Sequence, residues 1–256
     1  MSSSTLKILG LFLAFIVIIS LTTFGVFKTG SSVAGGGLNK EEVNELIKQY
    51  IQDNPEAILS SLTSYQQQAN KRNEEDSLKK VQDRIGEIEN NKNDPVVGNK
   101  DGDIAVVQFF DYSCGYCKKV APHITQLIDE DKNVRVVFKE FPILGPNSEI
   151  ASRAAIAVNM IAPEKYFDFH NNLMKARITG EDMVIKMAGE LGIKADDLKK
   201  QMLSPDVTMV IEANRKLARE IGIGGTPAFI IGGEFVPGAI EYKAMQDIIA
   251  QVRASN

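Results

Sequence analysis

Apolar residues follow two different spacings along this chain, and the spacing changes near residue 95. Over residues 43–88 they recur at intervals of three and four, as on a helix with one apolar face. Asn54 and Pro55 interrupt this stretch, and we expect Asn54 to cap a second helix that extends to about Asn90. The apolar positions of the two predicted helices are Val43, Leu46, Ile47, Tyr50, Ile51, Ile58, Leu62, Tyr65, Ala69, Leu78, Val81, Ile85 and Ile88.

Beyond residue 95 the pattern predicts an α/β fold. Unbroken apolar runs at 104–110 and 134–138 are typical of buried strands, and residues 118–129 between them have the pattern of a helix. The pattern is then almost entirely helical from 148 to about 220. A short hairpin and a closing helix follow, with predicted bounds 228–231, 234–236 and 242–252. The expected architecture is a strand–helix–strand half and a hairpin–helix half, separated by a helical insertion.

A narrow apolar stripe on a long charged helix cannot be buried by that helix alone. Leu78, Val81, Ile85 and Ile88 have heptad spacing, which favours a self-association stalk over residues 38–94. Two short heptads fall below the usual length of a coiled coil, so a helical arm that folds back on its own domain is the alternative.

The N-terminal 37 residues have the pattern of an export signal. Residues 8–27 contain no charge and are long enough to cross a bilayer as a helix. Two interpretations stay open: a membrane anchor that is retained, or a signal peptide that is cleaved near residues 32–34. The small residues at 30–37 predict a flexible tether. Either interpretation places the rest of the chain in an oxidising space such as the periplasm or the cell envelope.

Composition excludes several function classes. The chain has 256 residues, 44% of them hydrophobic, which is ordinary for a globular protein with a real core. Its 29 basic and 33 acidic residues give a net charge of −4, which argues against a nucleic-acid binder. Two cysteines and two histidines are too few for a disulfide-stapled miniprotein and leave little material for a metal cage.

Cys114 and Cys117 carry the candidate chemistry. They follow the first core strand and open the first helix, so the positive end of the helix dipole would stabilise the thiolate of Cys114. Cys117, one turn further on and less exposed, could then attack a mixed disulfide. Half of a zinc site is the alternative, but a second CxxC pair is missing from the sequence, and His123 and His170 would need unusual spacing.

Four sequence features resemble those of the DsbA-like family of thioredoxin-fold oxidoreductases. Residues 109–117 (FFDYSCGYC) resemble the active-site strand and turn, and Pro122 matches the proline that kinks the first helix. Residues 225–229 (GTPAF) resemble the loop whose proline is cis and faces the CxxC pair. The hairpin at 232–238 also follows the family pattern. The resemblance covers residues 95–252, and residues 38–94 are similar to the N-terminal stalk of ScsC-like members.

This resemblance implies a fold, a site and partners. The implied fold is a thioredoxin domain at 95–256 with a helical insertion at about 148–221, preceded by an oligomerisation region at 38–94 and a signal or membrane helix with its tether at 1–37. Cys114 and Cys117 would be catalytic, with Gly115, Tyr116, Thr226 and Pro227 in contact with the substrate. The reactive disulfide would be the only redox group, without cofactor or metal. The implied partners are unfolded or misoxidised exported proteins, a membrane redox partner, and further copies of this chain in a dimer or trimer.

The type of thiol chemistry follows from the residues around the cysteines. Strongly oxidising DsbA proteins have a histidine within CxxC, whereas Gly115 and Tyr116 provide no such charge. This dipeptide, together with Thr226, is similar to disulfide isomerases of the DsbC type, so we favour an isomerase or reductase. The alternatives are a dithiol oxidase and a non-catalytic protein that binds Cu(I) through the two thiolates.

One position departs from the family pattern. Gln108 stands where DsbA-like sequences usually have a buried glutamate beneath the active site, so the usual proton acceptor is in doubt. Asp111 and Glu140 are candidate substitutes, although Asp111 fits a solvated turn equally well. His123 is expected on a helix surface and His170 in a packing or capping role.

Overall fold

The computed structural model describes residues 38–255, and the predicted signal or membrane helix and the tether lie outside these described residues. The chain divides into two compact units between Gln66 and Gln67. Over residues 38–255, none of the helices has the length and the hydrophobicity needed to span a bilayer.

The described part of the first unit is helical and leaves its apolar residues exposed. It holds helix α1 (Lys40–Asp53) and the beginning of α2 (Pro55–Asp83). Asn39 and Glu42 form a reciprocal capping box at the start of α1. As predicted, Asn54 directly precedes Pro55, the first residue of α2, and its carbonyl oxygen accepts from the N–H of Ala57 at 3.1 Å. Its side-chain Nδ2, however, donates to the Tyr50 carbonyl oxygen at 2.9 Å. The side chain of Asn54 therefore supports the end of α1 instead.

The second unit is built around a five-stranded sheet with strand order β1-β3-β2-β4-β5. The strands are β1 (Val96–Gly98), β2 (Ile104–Phe110), β3 (Val134–Glu140), β4 (Ala228–Ile231) and β5 (Glu234–Pro237). Only the central pair β2 and β3 is parallel, and the other three pairings are antiparallel. The predicted strand–helix–strand and hairpin units are confirmed, while the three-residue β1 has no sequence pattern that marks it.

The helices of the second unit close the sheet and form the insertion. Helix α3 (Ile85–Asn90) precedes β1, and α4 (Gly115–Glu130) connects β2 to β3. The insertion contains α5 (Pro146–Ile161), a short 3₁₀ turn (Pro163–Lys165), α6 (Tyr166–Lys175), α7 (Glu181–Glu190), α8 (Ala195–Met202) and α9 (Pro205–Ile221). Helix α10 (Tyr242–Ser255) follows the hairpin. This arrangement confirms the predicted thioredoxin fold with a helical insertion.

The sheet packs on both faces, which explains the unbroken apolar runs of β2 and β3. On one face Val106, Phe110 and Phe138 join the core beneath α4 and the insertion. On the other face Val107 and Phe109 pack in a second cluster. Helix positions of this second cluster are Val81, Ile88, Leu217, Ala218 and Ile221.

Two positions of the heptad stripe are buried, although they lie in the region 38–94 that was predicted to mediate oligomerisation. Val81 and Ile88 are fully buried in the second cluster, against the sheet of their own unit. Around these residues the chain takes the alternative form, a helical arm that folds back on its own domain. That the region as a whole mediates oligomerisation stays a prediction.

Candidate active site

The turn that carries both cysteines comprises residues 111–117 and lies where β2 ends and α4 begins. We call it the reactive turn. Cys114 occupies the N-cap position of α4, and its backbone N–H donates to the Asp111 carbonyl oxygen at 3.1 Å. The Cys114 carbonyl oxygen accepts the first bond of the helix, from the N–H of Lys118 at 3.1 Å. The sulfur of Cys114 therefore stands at the positive end of a helix of 16 residues, as predicted.

The two sulfurs differ in access. Both cysteines are free thiols, and their relative exposure is 6% for Cys114 and 0% for Cys117. Burial raises the pKa of the Cys117 thiol well above its ordinary value, an effect that the backbone of Asp111 and the side chain of Thr226 partly offset. Cys114 is thus the more accessible of the two cysteines.

Thr226 and Pro227 lie against this turn although they are more than a hundred residues away in sequence. Antiparallel pairing of β4 with β2 places Ala228 opposite Phe109, which carries the preceding residues to the end of β2. The bond between Thr226 and Pro227 is cis, and the Cys114 thiol donates to the Thr226 carbonyl oxygen at 3.3 Å. The predicted cis bond and the predicted approach to the CxxC pair are both confirmed.

Gly115 and Tyr116 form the exposed rim of the turn. Tyr116 is 62% exposed, and the Lys119 ammonium lies 5.1 Å from the centroid of its ring. A polypeptide that approaches Cys114 would therefore meet an aromatic surface with a positive charge beside it.

Asp111 holds the reactive turn, a role that the sequence did not reveal. Its Oδ1 accepts from the backbone N–H of Ser113 at 2.7 Å and from the hydroxyl of Ser148 at 2.6 Å. Its Oδ2 accepts from the N–H groups of Ile143 at 2.8 Å and Leu144 at 2.9 Å. The interpretation of Asp111 as a solvated turn residue is wrong, because the side chain is fully buried and bonded by four donors. These bonds join the turn to the loop after β3.

Gln108 and Glu140, the two positions considered in place of the usual glutamate and as its substitute, are both buried. Gln108 is buried, and its Nε2 has no hydrogen-bond partner among residues 38–255. Glu140 accepts from the hydroxyls of Tyr112 at 3.0 Å, Ser152 at 2.7 Å and Tyr166 at 3.4 Å. Burial raises its pKa well above the ordinary value, an effect that the hydrogen bonds from Ser152 and Tyr112 partly offset.

The two histidines lie outside the reactive turn. His170 packs among aromatic rings, its centroid 4.5 Å from that of Phe138, and its Nδ1 is 3.0 Å from the Tyr112 hydroxyl. These contacts confirm the predicted packing role, and burial lowers the pKa of His170 to about 3. His123 is partly exposed and its Nδ1 lies 3.2 Å from the Ile240 carbonyl oxygen. In the part of the chain that the structure describes, no cluster of three or more His, Cys, Asp or Glu side chains could hold a metal ion.

Lys118 is a second residue that sequence reasoning missed. Its ammonium donates to the carbonyl oxygens of Met174 at 3.2 Å and Leu173 at 3.5 Å, and also to that of Ala176. These carbonyls belong to the end of α6, so the residue after Cys117 ties α4 to the insertion. Neither Asp111 nor Lys118 has a local sequence signal for this role, because the segments that they join are distant in sequence.

Comparisons with known proteins agree with this arrangement. A family model described as DSBA-like thioredoxin domain matches residues 105–250. Disulfide bond formation protein D of Bacillus subtilis (strain 168) is 24% identical over 169 residues, which cover 62% of this chain and 76% of that protein.

Two solved structures extend the comparison. A thioredoxin-like oxidoreductase from Silicibacter pomeroyi DSS-3 is 39% identical, with a TM-score of 0.63, over 66% of this chain and 97% of that chain. Proteus mirabilis ScsC in a transitional conformation is 26% identical, with a TM-score of 0.64, over 86% of this chain and 100% of that chain.

Proposed function

This chain belongs to the DsbA-like thioredoxin domain family of thiol–disulfide oxidoreductases, and we propose that it is an exported disulfide isomerase or reductase that acts through Cys114 and Cys117. The resemblance to this family, including its ScsC branch, is confirmed. The observation that carries the proposal is the position of the Cys114 sulfur, at the start of α4 and 3.3 Å from the Thr226 carbonyl oxygen.

The proposed reaction begins with the Cys114 thiolate. It attacks one sulfur of a substrate disulfide, a new S–S bond forms, and the other substrate sulfur leaves as a thiolate. In isomerisation a substrate thiolate then attacks the mixed disulfide and releases Cys114, with no net redox change. In reduction the thiol of Cys117 loses its proton, attacks the Cys114 sulfur and releases a dithiol substrate, which leaves a Cys114–Cys117 disulfide.

Thr226 and Pro227 are proposed to bind the substrate chain. The Thr226 carbonyl oxygen lies 3.3 Å from the Cys114 sulfur, and proline has no N–H that would need a partner there. An extended substrate segment could add to this edge through backbone hydrogen bonds. Gly115 and Tyr116, both exposed, would contact the substrate on the rim of the turn.

Two features favour isomerase or reductase over oxidase. Gly115 and Tyr116 provide no positive charge between the cysteines, so the dipeptide itself does not favour the reduced thiolate. The first unit exposes large apolar side chains that could hold several copies around one substrate, namely Leu38, Val43, Leu46, Ile47, Tyr50, Ile51, Ile58, Leu59, Leu62 and Tyr65. We propose that a dimer or trimer forms through these residues of the region 38–94.

Location and partners follow from the same proposal. The uncharged segment 8–27 would export the chain to the periplasm or cell envelope, as a retained anchor or a cleaved signal. Substrates would be unfolded or misoxidised exported proteins. A reductase also needs a thiol donor to reduce the Cys114–Cys117 disulfide after each turnover, and a membrane redox partner fits this role.

Cysteine variants test the activity. Cys114→Ala should abolish both insulin reduction and recovery of scrambled ribonuclease, because the attacking sulfur is gone. Cys117→Ala should retain the first step and accumulate mixed disulfides that mass spectrometry detects. Unchanged activity of Cys114→Ala would refute the proposal, and a strongly oxidising reduction potential would favour the oxidase instead.

Oligomerisation is tested by the mass of the protein in solution. Leu46→Lys places a charge in the exposed apolar stripe, and we expect light scattering to give the mass of a smaller species. Gln49→Lys, on the same helix, is the matched control and should leave the mass unchanged. A monomer in both variants and in the parent protein would exclude the oligomer.

A further inference from the structure

A cleft beside the reactive turn has no role in the chemistry described above. Its volume is about 470 Å³, and it lies between the turn residues Tyr112 and Ser113 and the chain that follows α6. Ser113, one of the residues that line the cleft, directly precedes Cys114 in the sequence.

The described side chains that line the cleft include three basic residues and no acidic one. Lys175 and Arg177 are exposed, and neither forms an ion pair with any residue in the range 38–255. The chain as a whole carries a net charge of −4. The cleft is therefore a local concentration of positive charge on an acidic protein, placed next to the residue that attacks the substrate.

The Lys118 ammonium partly offsets the negative charge at the end of α6, beside the cleft. The last carbonyl groups of a helix are unpaired and carry partial negative charge. Here the carbonyl oxygens of Leu173 and Met174 accept from the Lys118 ammonium. With these carbonyl groups occupied, a carboxylate in the cleft faces the charges of Lys175 and Arg177 with less repulsion from the helix end.

We propose that this cleft binds an acidic segment of the substrate polypeptide, a few residues from the cysteine that Cys114 attacks. This inference rests on the function proposed above and names a substrate preference of the same site. Ion pairing with exposed basic residues would make the preference decrease as salt concentration rises, because screening acts most strongly on exposed charges. The occupant is a stretch of Asp or Glu side chains in an unfolded exported protein.

The test compares three short peptides that carry the same mixed disulfide flanked by Glu, Gln or Lys. We expect the wild-type protein to reduce the Glu peptide with a kcat/KM about fivefold above that of the Gln peptide, the size that two exposed ion pairs supply. The double variant Lys175→Gln/Arg177→Gln should lose this preference and keep its rate on the Gln peptide. Lys199→Gln/Lys200→Gln changes two exposed lysines of α8 outside the cleft and should keep the preference.

Binding is measured separately so that the two proposals can fail independently. Peptides with Ser in place of Cys cannot react, and fluorescence anisotropy should show tighter binding of the Glu form, lost in Lys175→Gln/Arg177→Gln. Equal binding of the Glu and Gln forms, or a preference that survives this double variant, would overturn the acidic-segment proposal. A Glu preference in binding without turnover of any disulfide peptide would support the cleft and refute the oxidoreductase activity.

Discussion

The first unit and the reactive turn depart from the usual pattern of burial in opposite directions. Over residues 38–66 large apolar side chains are exposed, whereas at the turn the charged side chain of Asp111 is fully buried. The exposed apolar stripe has no partner among the described residues of its own unit, and the self-association proposed above would cover it. The buried carboxylate has four donors within its own unit, which points to a role in holding the turn.

The largest effect should come from removing the carboxylate of Asp111. Asp111→Ala leaves three backbone N–H groups and the Ser148 hydroxyl without their acceptor, and we expect a loss of ~4 kcal/mol in the free energy of unfolding. Urea denaturation measures it. Asp129→Ala on the exposed side of α4 is the control, with a change within ~0.5 kcal/mol. A loss below ~1 kcal/mol for Asp111→Ala would show that the bonds do not hold the turn.

The apolar stripe itself offers a direct contrast between two isoleucines. Ile88 is 0% exposed in the second core cluster, and Ile58 is 46% exposed in the first unit. We expect Ile88→Ala to lower the free energy of unfolding of the second unit by ~3 kcal/mol, because it creates a cavity. Ile58→Ala should change it by less than ~0.5 kcal/mol. Equal losses at both sites would contradict the division between an exposed stripe and a folded-back arm.

The smallest expected effect is the pH dependence of stability that His170 contributes from the buried network behind the reactive turn. His170 has a native pKa of about 3 against an ordinary value of 6.5, so the unfolded chain binds a proton that the native protein does not. Stability should therefore fall as the pH drops from 6.5 towards 3, by at most ~1.4 kcal/mol per pH unit from this group. His170→Gln removes this contribution.

Denaturation of wild type and His170→Gln at pH 7, 6, 5 and 4.5 isolates this group. Glu140, whose raised pKa acts in the opposite direction, is present in both proteins. The difference in stability between wild type and variant should shrink as the pH falls. A difference that stays constant with pH would mean that His170 titrates alike in both states.

The sequence predicts most of the fold and only part of the site. The apolar runs of β2 and β3 and the position of the cysteines after β2 depend on local patterns, so they are visible without coordinates. The prediction that the bond before Pro227 is cis and that it approaches Cys114 rests on the family resemblance. The bonds from Asp111 to the loop after β3 and from Lys118 to the end of α6 could not be predicted, because each joins segments that are distant in sequence.

The sequence also does not predict which apolar positions of the N-terminal helices are exposed and which are buried. Spacing of three and four residues predicts that a helix has an apolar face but does not predict what covers that face. Leu62 and Val81 therefore cannot be distinguished from the sequence pattern. Leu62 is exposed and Val81 is buried. Burial of Val81 depends on the sheet that forms from residues further along the chain.

The most direct test of the central claim is the rate at which each cysteine of the reduced protein is alkylated at neutral pH. Iodoacetamide labelling followed by peptide mass mapping reports Cys114 and Cys117 separately. The geometry predicts that Cys114 reacts at least ~10 times faster than Cys117, because it stands at the helix N-terminus and is the more accessible sulfur. Faster labelling of Cys117, or equal slow labelling of both thiols, would contradict the assignment of Cys114 as the attacking sulfur.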